Sequence, residues 1–361
     1  MSERQFPCEQ CGAELNFVPG THSLACSFCG HENLIEVQPT EIVEQDYRAQ
    51  LANKASRETM HEVMVIKCDA CGAESSFNPN IVSDACPFCG TSIVQTEQAK
   101  REILPQAVMP FIVTQKESQK AFSVWLQSLW FAPSVLKKLA RQQGRLKGMY
   151  IPYWTYDAGT QTNYQGQRGD YYYTTESYTA YENGKPVRRT RRVRHTRWSH
   201  AQGRVYEDFD DVLIIGTTSL PDREIRELGP WHLSSLKPYT DAYLSGFQAE
   251  SYSVQLEQGF EEAKDVMDMT IRRLIRSDIG GDEQRILYKD TNYSNITFKH
   301  ILLPIWISSY RFKEKIYRFM VNGQTGEVQG ERPWSKLKIA ATVVGVAILI
   351  AILIFVLNET S

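Results

Sequence analysis

The sequence predicts a multidomain protein with two tandem zinc ribbons, an α+β domain with antiparallel sheet, and a single C-terminal transmembrane helix. Three observations indicate this architecture: eight cysteines in two equal quartets, an uncharged apolar run near the C-terminus, and tyrosine-rich, β-branched segments between them. The predicted divisions are ribbon 1, a helical linker, ribbon 2, the α+β body and the transmembrane helix, at residues 1–35, 36–65, 66–95, 96–335 and 336–358.

Each ribbon is predicted from two CxxC pairs, and the second quartet follows the first by 60 residues at every cysteine. Two cysteines separated by two residues direct both sulfurs at one cation, and two such turns complete a tetrahedral thiolate cage. A glycine follows every second cysteine and suits a turn with positive φ. The predicted ligands of two zinc ions, one per ribbon, are Cys8, Cys11, Cys26 and Cys29, then Cys68, Cys71, Cys86 and Cys89. Because each module is too short to bury its own core, residues 6–30 and 66–90 are expected to unfold without metal.

Other uses of the cysteines are open. Disulfides need an oxidising compartment, but the chain opens Met-Ser-Glu-Arg-Gln without an apolar signal region. A redox CxxC pair belongs in a βαβ context, which the flanking sequence does not indicate. Iron in a rubredoxin-like cage would use the same ligands. Zinc is the favoured prediction, and it uses all eight cysteines, so no thiol is left for nucleophilic catalysis.

The C-terminal helix is predicted from 19 uncharged residues, Ile339–Leu357, which is about the length that crosses a hydrocarbon core. No cation follows this run, and three precede it: Arg332, Lys336 and Lys338. The positive-inside rule therefore places the N-terminal body in the cytoplasm, and we expect a tail-anchored, single-pass protein of the cell membrane. Small residues at four-residue spacing could also pack against a second helix and give an oligomer: Ala341, Gly345, Ala347 and Ala351.

Apolar periodicity and turn signals predict the elements between these ends. A helix is expected over Glu41–Ala55, a linker over Ser92–Pro105, and helices over Lys116–Gln142, broken at Pro133, and Gln248–Ser277.

Strands are expected over Met149–Thr218, with a hairpin turn at Asn183-Gly184, and again after Gln284, with a tight hairpin at Val321–Val328. Two similar motifs are each expected to open a β segment, as if the body had two related halves: Ile151–Trp154 and Leu303–Trp306.

One charged segment stands out among these strands. Lys185–Arg197 contains no acid and six arginines: Arg188, Arg189, Arg191, Arg192, Arg194 and Arg197. It could bind phosphates of nucleic acid or of anionic lipid. The favoured interpretation is a solvated strand whose arginines pair with acids on a neighbouring strand, because the formal net charge is only −2 and four acids follow: Glu207, Asp208, Asp210 and Asp211.

Familiar catalytic motifs are missing from the sequence. There is no GxxxxGK[ST] loop for ATP hydrolysis, and neither HExxH nor GxSxG occurs. The polar, glycine-rich Asp278–Gln284 also suits a loop that ends a helix, and His195 and His200 have no nucleophile motif beside them. The chain is therefore predicted not to be an enzyme.

Six further motifs accompany the paired CxxCG ribbons: Tyr150–Tyr156, Trp198–Gly203, Phe209–Val212, Gly246–Glu250, Asp278–Gln284 and Val321–Gly326. Together they resemble a family of bacterial membrane-anchored TFIIB-type zinc-ribbon proteins over nearly the whole chain. Members are often labelled primosomal protein N′ (replication factor Y) superfamily II helicase, a label that the missing P-loop contradicts. The resemblance implies zinc at the eight cysteines and an SPFH-like protein partner in membrane-stress defence.

Two functional classes follow. In the first, the ribbons dock a cytosolic protein and the tail holds it at the inner face of the membrane, so the chain is a scaffold or recruiter in envelope-stress response. In the second, the ribbons and the arginine segment contact nucleic acid in replication or transcription. The first is favoured because acidic residues outnumber basic ones by more than two to one in Met1–Gly90. Four thiolates around zinc add further negative charge, which repels phosphate.

Overall fold

In the computed structural model of the chain, the described residues are 6–35, 41–54, 60–76, 83–94, 97–133, 146–182, 184–312 and 315–359. The strands are β1 Leu15–Phe17, β2 Ser23–Cys26, β3 Glu32–Leu34, β4 Gln45–Asp46, β5 His61–Lys67, β6 Glu74–Ser76, β7 Ser83–Ala85, β8 Ser92–Val94, β9 Glu97–Glu102, β10 Ala107–Val108, β11 Lys147–Glu182, β12 Lys185–Ile215, β13 Lys237–Pro238, β14 Gln248–Glu250, β15 Glu283–Phe312, β16 Lys315–Asn322 and β17 Val328–Gly330. The helices are α1 Tyr47–Lys54, α2 Gln115–Ser128, α3 Asp222–Arg226, α4 Leu256–Ile279 and α5 Lys336–Glu359, with short 3₁₀ turns at Leu233–Ser235 and Asp241–Leu244.

Three very long antiparallel strands form the centre of the body. β11 has 36 residues, β12 has 31 and β15 has 30. β11 lies in the middle: it pairs with β12 as far as the connecting turn, and with β15 as far as Gly169 opposite Glu283. Gly184 in that turn has a φ of +75°, which glycine adopts without steric cost, and the predicted hairpin is confirmed.

The two faces of this long sheet differ. α4 covers one of them with apolar residues that recur every three or four positions: Phe260, Ala263, Met267, Ile271, Ile275 and Ile279. Successive side chains of β11 alternate accordingly, because Thr162 and Tyr164 are buried whereas Asn163 and Gln165 are exposed. The face opposite α4 is therefore a polar, open surface, which we call the open face.

At the other end of the sheet both faces are covered. Trp154 of β11 is fully buried, and its indole N–H donates a hydrogen bond to the Val254 carbonyl at 2.9 Å. α2 packs near β16, where the rings of Phe122 and Phe319 stack with centroids 3.7 Å apart. The apolar residues of the predicted strands thus supply the core at this end.

Beyond Gly169, β15 has ended and only β11 and β12 continue. We call this two-stranded hairpin the arm, residues 170–197, of which residue 183 is not described. At about 3.4 Å per residue it extends roughly 40 Å past the sheet. A two-stranded hairpin with no covering layer is marginally stable in water, so the arm is the part of the fold that gains most from an additional contact.

Several predicted elements differ from the observed ones. The helix expected from Glu41 begins at Tyr47, because residues 45–46 pair with β15 as β4. The linker expected over Ser92–Pro105 contains β8 and β9, and β9 pairs with β5. α4 begins at Leu256, eight residues later than expected, since residues 248–250 form β14. The helix expected over Lys116–Gln142 is α2 in its first half, and its end lies outside the described residues.

The two similar Pro-containing motifs do not open two related halves. Ile151 lies near the start of β11, but Leu303 lies in the interior of β15, and the two residues face each other in the antiparallel register. The similarity therefore reflects one shared environment, because the residues of both motifs lie on adjacent strands at the end of the sheet where both faces are buried.

Candidate metal centres

The first cysteine quartet is built on three short strands. β1, β2 and β3 form a sheet of their own, and the two CxxC turns lie beside it. Gly12 and Gly30 follow these turns with φ of +75° and +73°, and each N–H donates to the carbonyl of the first cysteine of its pair. The second quartet repeats these turns, with φ of +76° at Gly72 and +72° at Gly90, but its strands belong to two sheets: β5 and β6 to the large sheet, and β7 and β8 to a two-stranded one. The predicted glycine role is confirmed at all four turns.

Sulfur–sulfur distances fit a tetrahedral metal site in both quartets. In the first, the sulfurs of Cys8 and Cys29 are 3.6 Å apart and those of Cys11 and Cys26 are 3.5 Å apart. Across the second, the corresponding distances are 3.6 Å for Cys68–Cys89 and 3.7 Å for Cys71–Cys86. Ligands about 2.3 Å from a tetrahedral ion lie roughly 3.7 Å apart, whereas a disulfide requires about 2.05 Å. All eight thiols are free, and each quartet could bind one metal ion.

The electrostatics of the sulfurs favour a bound cation. The backbone N–H of Cys29 donates to the Cys26 sulfur and lowers the pKa of that thiol to about 6. Burial opposes ionisation of Cys89, but hydrogen bonds with Thr91, Cys68 and Cys71 together outweigh it and lower the pKa of Cys89 to about 7. Burial raises the pKa of Cys71 to about 11. Each quartet thus has one thiol with a lowered pKa and at least one with a raised pKa, and a bound cation would favour the ionised form of the latter.

The two quartets differ in how the body covers them, although their local sequences match. Phe28 and Phe88 occupy equivalent positions, yet Phe28 is 84% exposed and Phe88 is 0% exposed. The second module is held by the body, because Arg318 Nε donates to the Phe88 carbonyl at 2.8 Å and Lys147 Nζ to the Ala85 carbonyl at 2.9 Å. Identical CxxCG motifs carry no signal of this difference, so it could not be read from the sequence.

The first module attaches to the body by its opposite side. Phe17 N donates to the Ser245 carbonyl at 3.0 Å, and the ring of Phe17 contacts that of Tyr243 edge-on at 5.3 Å. Leu34, at the end of β3, is 82% exposed. The second turn and the end of β3 therefore face outward, and we call Phe28 and Leu34 the ribbon 1 face.

A third group of metal-ligating side chains, which the sequence did not reveal, lies at the long sheet. Carboxylate oxygens of Glu44, Asp157 and Asp210 lie within 4.8 Å of one another. Lys299 already supplies a positive charge there, with its Nζ 2.8 Å from Glu44 and 2.7 Å from Asp211. Burial raises the pKa of Asp157 to about 6. The β-bulge opposite Asp157 creates this cluster, and a bulge has no reliable sequence signal.

The prediction that the arginines of Lys185–Arg197 pair with the acids that follow is wrong within one chain. Both groups lie on the single strand β12, one in the arm and the other beside the body. On the α4 side of the arm, Arg189 pairs instead with Glu182 of β11, and Arg191 with Glu176 at 3.2 Å.

The open face of the arm has a different character. Its β12 side chains include Arg188, Arg192 and Arg194, and none of these forms an ion pair with an acid that the structure describes. Arg192 stacks over Tyr173 at 4.0 Å and Arg194 over Tyr171 at 4.2 Å. His195 and His200, considered above as catalytic groups, lie on this same strand, where His195 Nε2 is 2.7 Å from the hydroxyl of Thr174.

The C-terminal helix agrees with the predicted apolar run. Lys336–Asn358 is long and apolar enough to cross a membrane, and the body covers none of it. Lys338 Nζ at its start donates to the Ala132 carbonyl at 2.8 Å, which ties the helix to the segment after α2.

Comparison with known proteins gives one relative of similar length. The chain is 27% identical over 352 residues to the uncharacterized protein YdjG of Bacillus subtilis (strain 168), covering 95% of this chain and 94% of the relative. No family model matches the chain, and no solved structure matches it. The family therefore stays a prediction from the motifs.

Proposed function

We propose that the chain is a tail-anchored zinc-binding scaffold that docks a cytosolic protein at the inner face of the membrane through the ribbon 1 face. The observation that carries this proposal is the contrast between the duplicated phenylalanines, 84% exposed at Phe28 and 0% exposed at Phe88. A module that only stabilises the body has no need of an exposed aromatic ring at its turn, whereas exposed aromatic residues anchor protein interfaces.

Zinc is the metal that we propose for both cages. Four thiolates at tetrahedral spacing suit Zn²⁺, which has no redox chemistry and closes a structural site with four ligands. The predicted alternative, iron in the same cage, differs in its visible absorption and in elemental analysis, so the two metals are separable by measurement.

The proposed orientation rests on charge and hydropathy. Arg332, Lys336 and Lys338 precede the apolar run Ile339–Leu357, and the positive-inside rule keeps such residues in the cytoplasm. The docked protein would then be a cytosolic one, and the motif resemblance implies the SPFH-like class in envelope-stress response. A nucleic-acid-binding role is the second candidate, supported by the open-face arginines of the arm and opposed by the acidic ribbon region.

The test compares affinity purifications of full-length protein from detergent-solubilised membranes, with quantitative mass spectrometry. The variant Phe28→Ser with Leu34→Ser should lose the specific protein partner while it remains in the membrane with two zinc ions. Val124→Ser with Met269→Ser is the matched control, because both residues are exposed apolar side chains outside the ribbons. The control should retain the partner.

Two results would contradict docking by the ribbon 1 face. One is equal recovery of the same proteins with both double variants. The other is a set of recovered proteins that disappears after nuclease treatment, which would favour the nucleic-acid role.

A further inference from the structure

The longest strand edge in the described structure is that of β12. Among the described strands β12 pairs only with β11, so the other edge of its 31 residues has no strand beside it. Proteins usually shorten, bend or cover such edges, because unpaired N–H and C=O groups accept another strand. An edge of this length is a surface for strand pairing, and its side chains decide which strand fits.

Charge along this edge is divided into two blocks that mirror each other. The arm half contains Arg188, Arg189, Arg191 and Arg192, and the half beside the body contains Glu207, Asp208, Asp210 and Asp211. Each block is two charged residues, one uncharged residue and two charged residues. When two copies of β12 run antiparallel, the basic block of each meets the acidic block of the other over the same span.

Each block is neutralised only in part within its own chain, by the ion pairs of Arg189, Arg191 and Asp211. Arg188 and Arg192 on the open face form no ion pair with a described acid, and no ion pair involves Asp208 among the described residues. At the acidic block, Glu44, Asp157 and Asp210 crowd together. Lys299 is the cation within 4.0 Å of this group in the described chain, and it contacts Glu44 and Asp211. An acidic segment from outside the chain would neutralise these arginines, and a basic segment would neutralise these carboxylates.

We propose that β12 pairs antiparallel with β12 of a second copy, so that residues 188–192 of each copy lie opposite residues 208–212 of the other. A two-fold axis perpendicular to a continuous sheet keeps the same face of both copies on the same side of that sheet. Directly opposite residues point to the same side, so their residue numbers must both be even or both be odd. The register that joins unneutralised open-face charges places Arg192 opposite Asp208 of the partner subunit. His200 then lies at the axis, opposite itself. This inference does not rest on the docking function proposed above.

The same charges reject other pairings. Two arms side by side would place guanidinium groups against guanidinium groups, so the edge selects against that arrangement. Single-stranded nucleic acid usually stacks bases on open aromatic faces. On the arm, Tyr171 and Tyr173 are already covered by arginine, as is Trp198 nearby, with Arg285 3.8 Å above its ring. Tyr181, beside the turn, is 76% exposed. An acidic strand uses two other open features of the arm: the guanidinium edges and the backbone edge.

The pairing gives the arm a third strand. Residues 185–197 of each arm lie along residues 203–215 of the partner subunit, so the part of the fold with the least cover gains strand pairing on its exposed edge. When both tails enter one bilayer, the two-fold axis coincides with the bilayer normal. The long sheet then lies along the membrane surface, with the two anchors at opposite ends.

Charge reversal in full-length protein in detergent micelles tests the proposal by sedimentation over a dilution series. Arg188→Glu with Arg192→Glu, and separately Asp208→Lys with Asp210→Lys, should each weaken dimerisation roughly 100-fold or more, because like charges then face each other. An equal mixture of the two variants should form a heterodimer, since both halves of its interface again join opposite charges. Lys116→Glu with Lys120→Glu changes net charge by the same amount on α2 and should leave the dimer intact.

A cross-link checks the register independently of stability. His200→Cys should form a disulfide-linked dimer under mild oxidation of zinc-loaded protein, because opposite residues in adjacent strands lie within disulfide reach. Lys120→Cys should not. The proposal is overturned if wild-type protein is monomeric, or if the mixture of the two charge-reversed variants fails to associate. It is also overturned if charge reversal leaves the dimer unchanged, which is the result expected of a dimer formed through the tail. It is also overturned if the monomeric arm instead binds RNA or anionic vesicles.

Discussion

The duplicated phenylalanines give a matched pair of perturbations. Phe88 belongs to a buried cluster that includes Ile307 and Met320, and its ring has no exposed surface. Removing a fully buried phenylalanine ring costs about 3–5 kcal/mol, because the apolar transfer free energy is lost and a cavity remains. Phe28→Ala removes a ring that is 84% exposed, so its free energy of unfolding should change by no more than about 0.5 kcal/mol.

Zinc-loaded full-length protein in detergent micelles suits this comparison, because both variants retain all eight cysteines. Denaturant unfolding followed by tryptophan fluorescence reports the body, and zinc release to a chromogenic chelator reports the modules. Phe88→Ala should lower the unfolding midpoint and speed the release of one of two zinc ions. Phe28→Ala should match wild type in both measurements. Equal effects of the two variants, or a loss above about 1 kcal/mol for Phe28→Ala, would refute the asymmetric burial.

Three further predictions concern titration, metal and anchorage. Burial lowers the pKa of His300 to about 4 and raises that of Glu250 to about 7. Between pH 7 and 5, His300 binds a proton in the unfolded chain but stays neutral in the folded one, so acidification lowers the free energy of unfolding through His300. Glu250 binds a proton in the folded chain over the same range, whereas the unfolded chain binds it mainly below pH 5, so acidification raises the free energy of unfolding through Glu250. The two contributions, each about 2 kcal/mol, oppose each other. On acidification from pH 7 to 5, the free energy of unfolding of His300→Asn should therefore rise relative to that of wild type, and that of Glu250→Gln should fall. Denaturant unfolding at both pH values measures this. Elemental analysis should find about two zinc ions per chain, and Cys8→Ser with Cys11→Ser should leave about one; mainly iron would contradict the metal assignment. Truncation before Lys336 should move the body from the membrane pellet to the soluble fraction, and continued pelleting would show that another surface anchors it.

Local chemistry made the two cysteine quartets and the hairpins predictable from the sequence. CxxCG spacing determines which sulfurs meet, and Asn183-Gly184 and Val321–Val328 are turn signals that act over a few residues. The apolar run of α5 is equally local. These features follow from short-range geometry, so they do not depend on how the rest of the chain packs.

Pairing between distant segments was not predictable in this way. Residues 45–46 and 248–250 became strands because β15, β11 and β6 offered partners for them, which overrode the helical pattern nearby. The exposure of Phe28 and the burial of Phe88 have the same origin, since β16 supplies Arg318 to one module only. The acidic cluster required a bulge that brings Asp157 and Asp210 beside Glu44, from which each is separated by more than 100 positions in the sequence.

The error about the arginines shows how complementary charges in a sequence can be assigned to the wrong pairing. The four acids do stand at a distance suited to an opposing strand, as the sequence predicted, but β11 occupies the inner edge of β12 and carries its own Glu176 and Glu182. A strand cannot fold back on itself without a turn, and β12 continues without one from Lys185 to Ile215. The complementary blocks can therefore meet only across the outer edge. Since antiparallel pairing of identical strands always sets the start of one against the end of the other, a strand that is basic in one half and acidic in the other complements a second copy of itself.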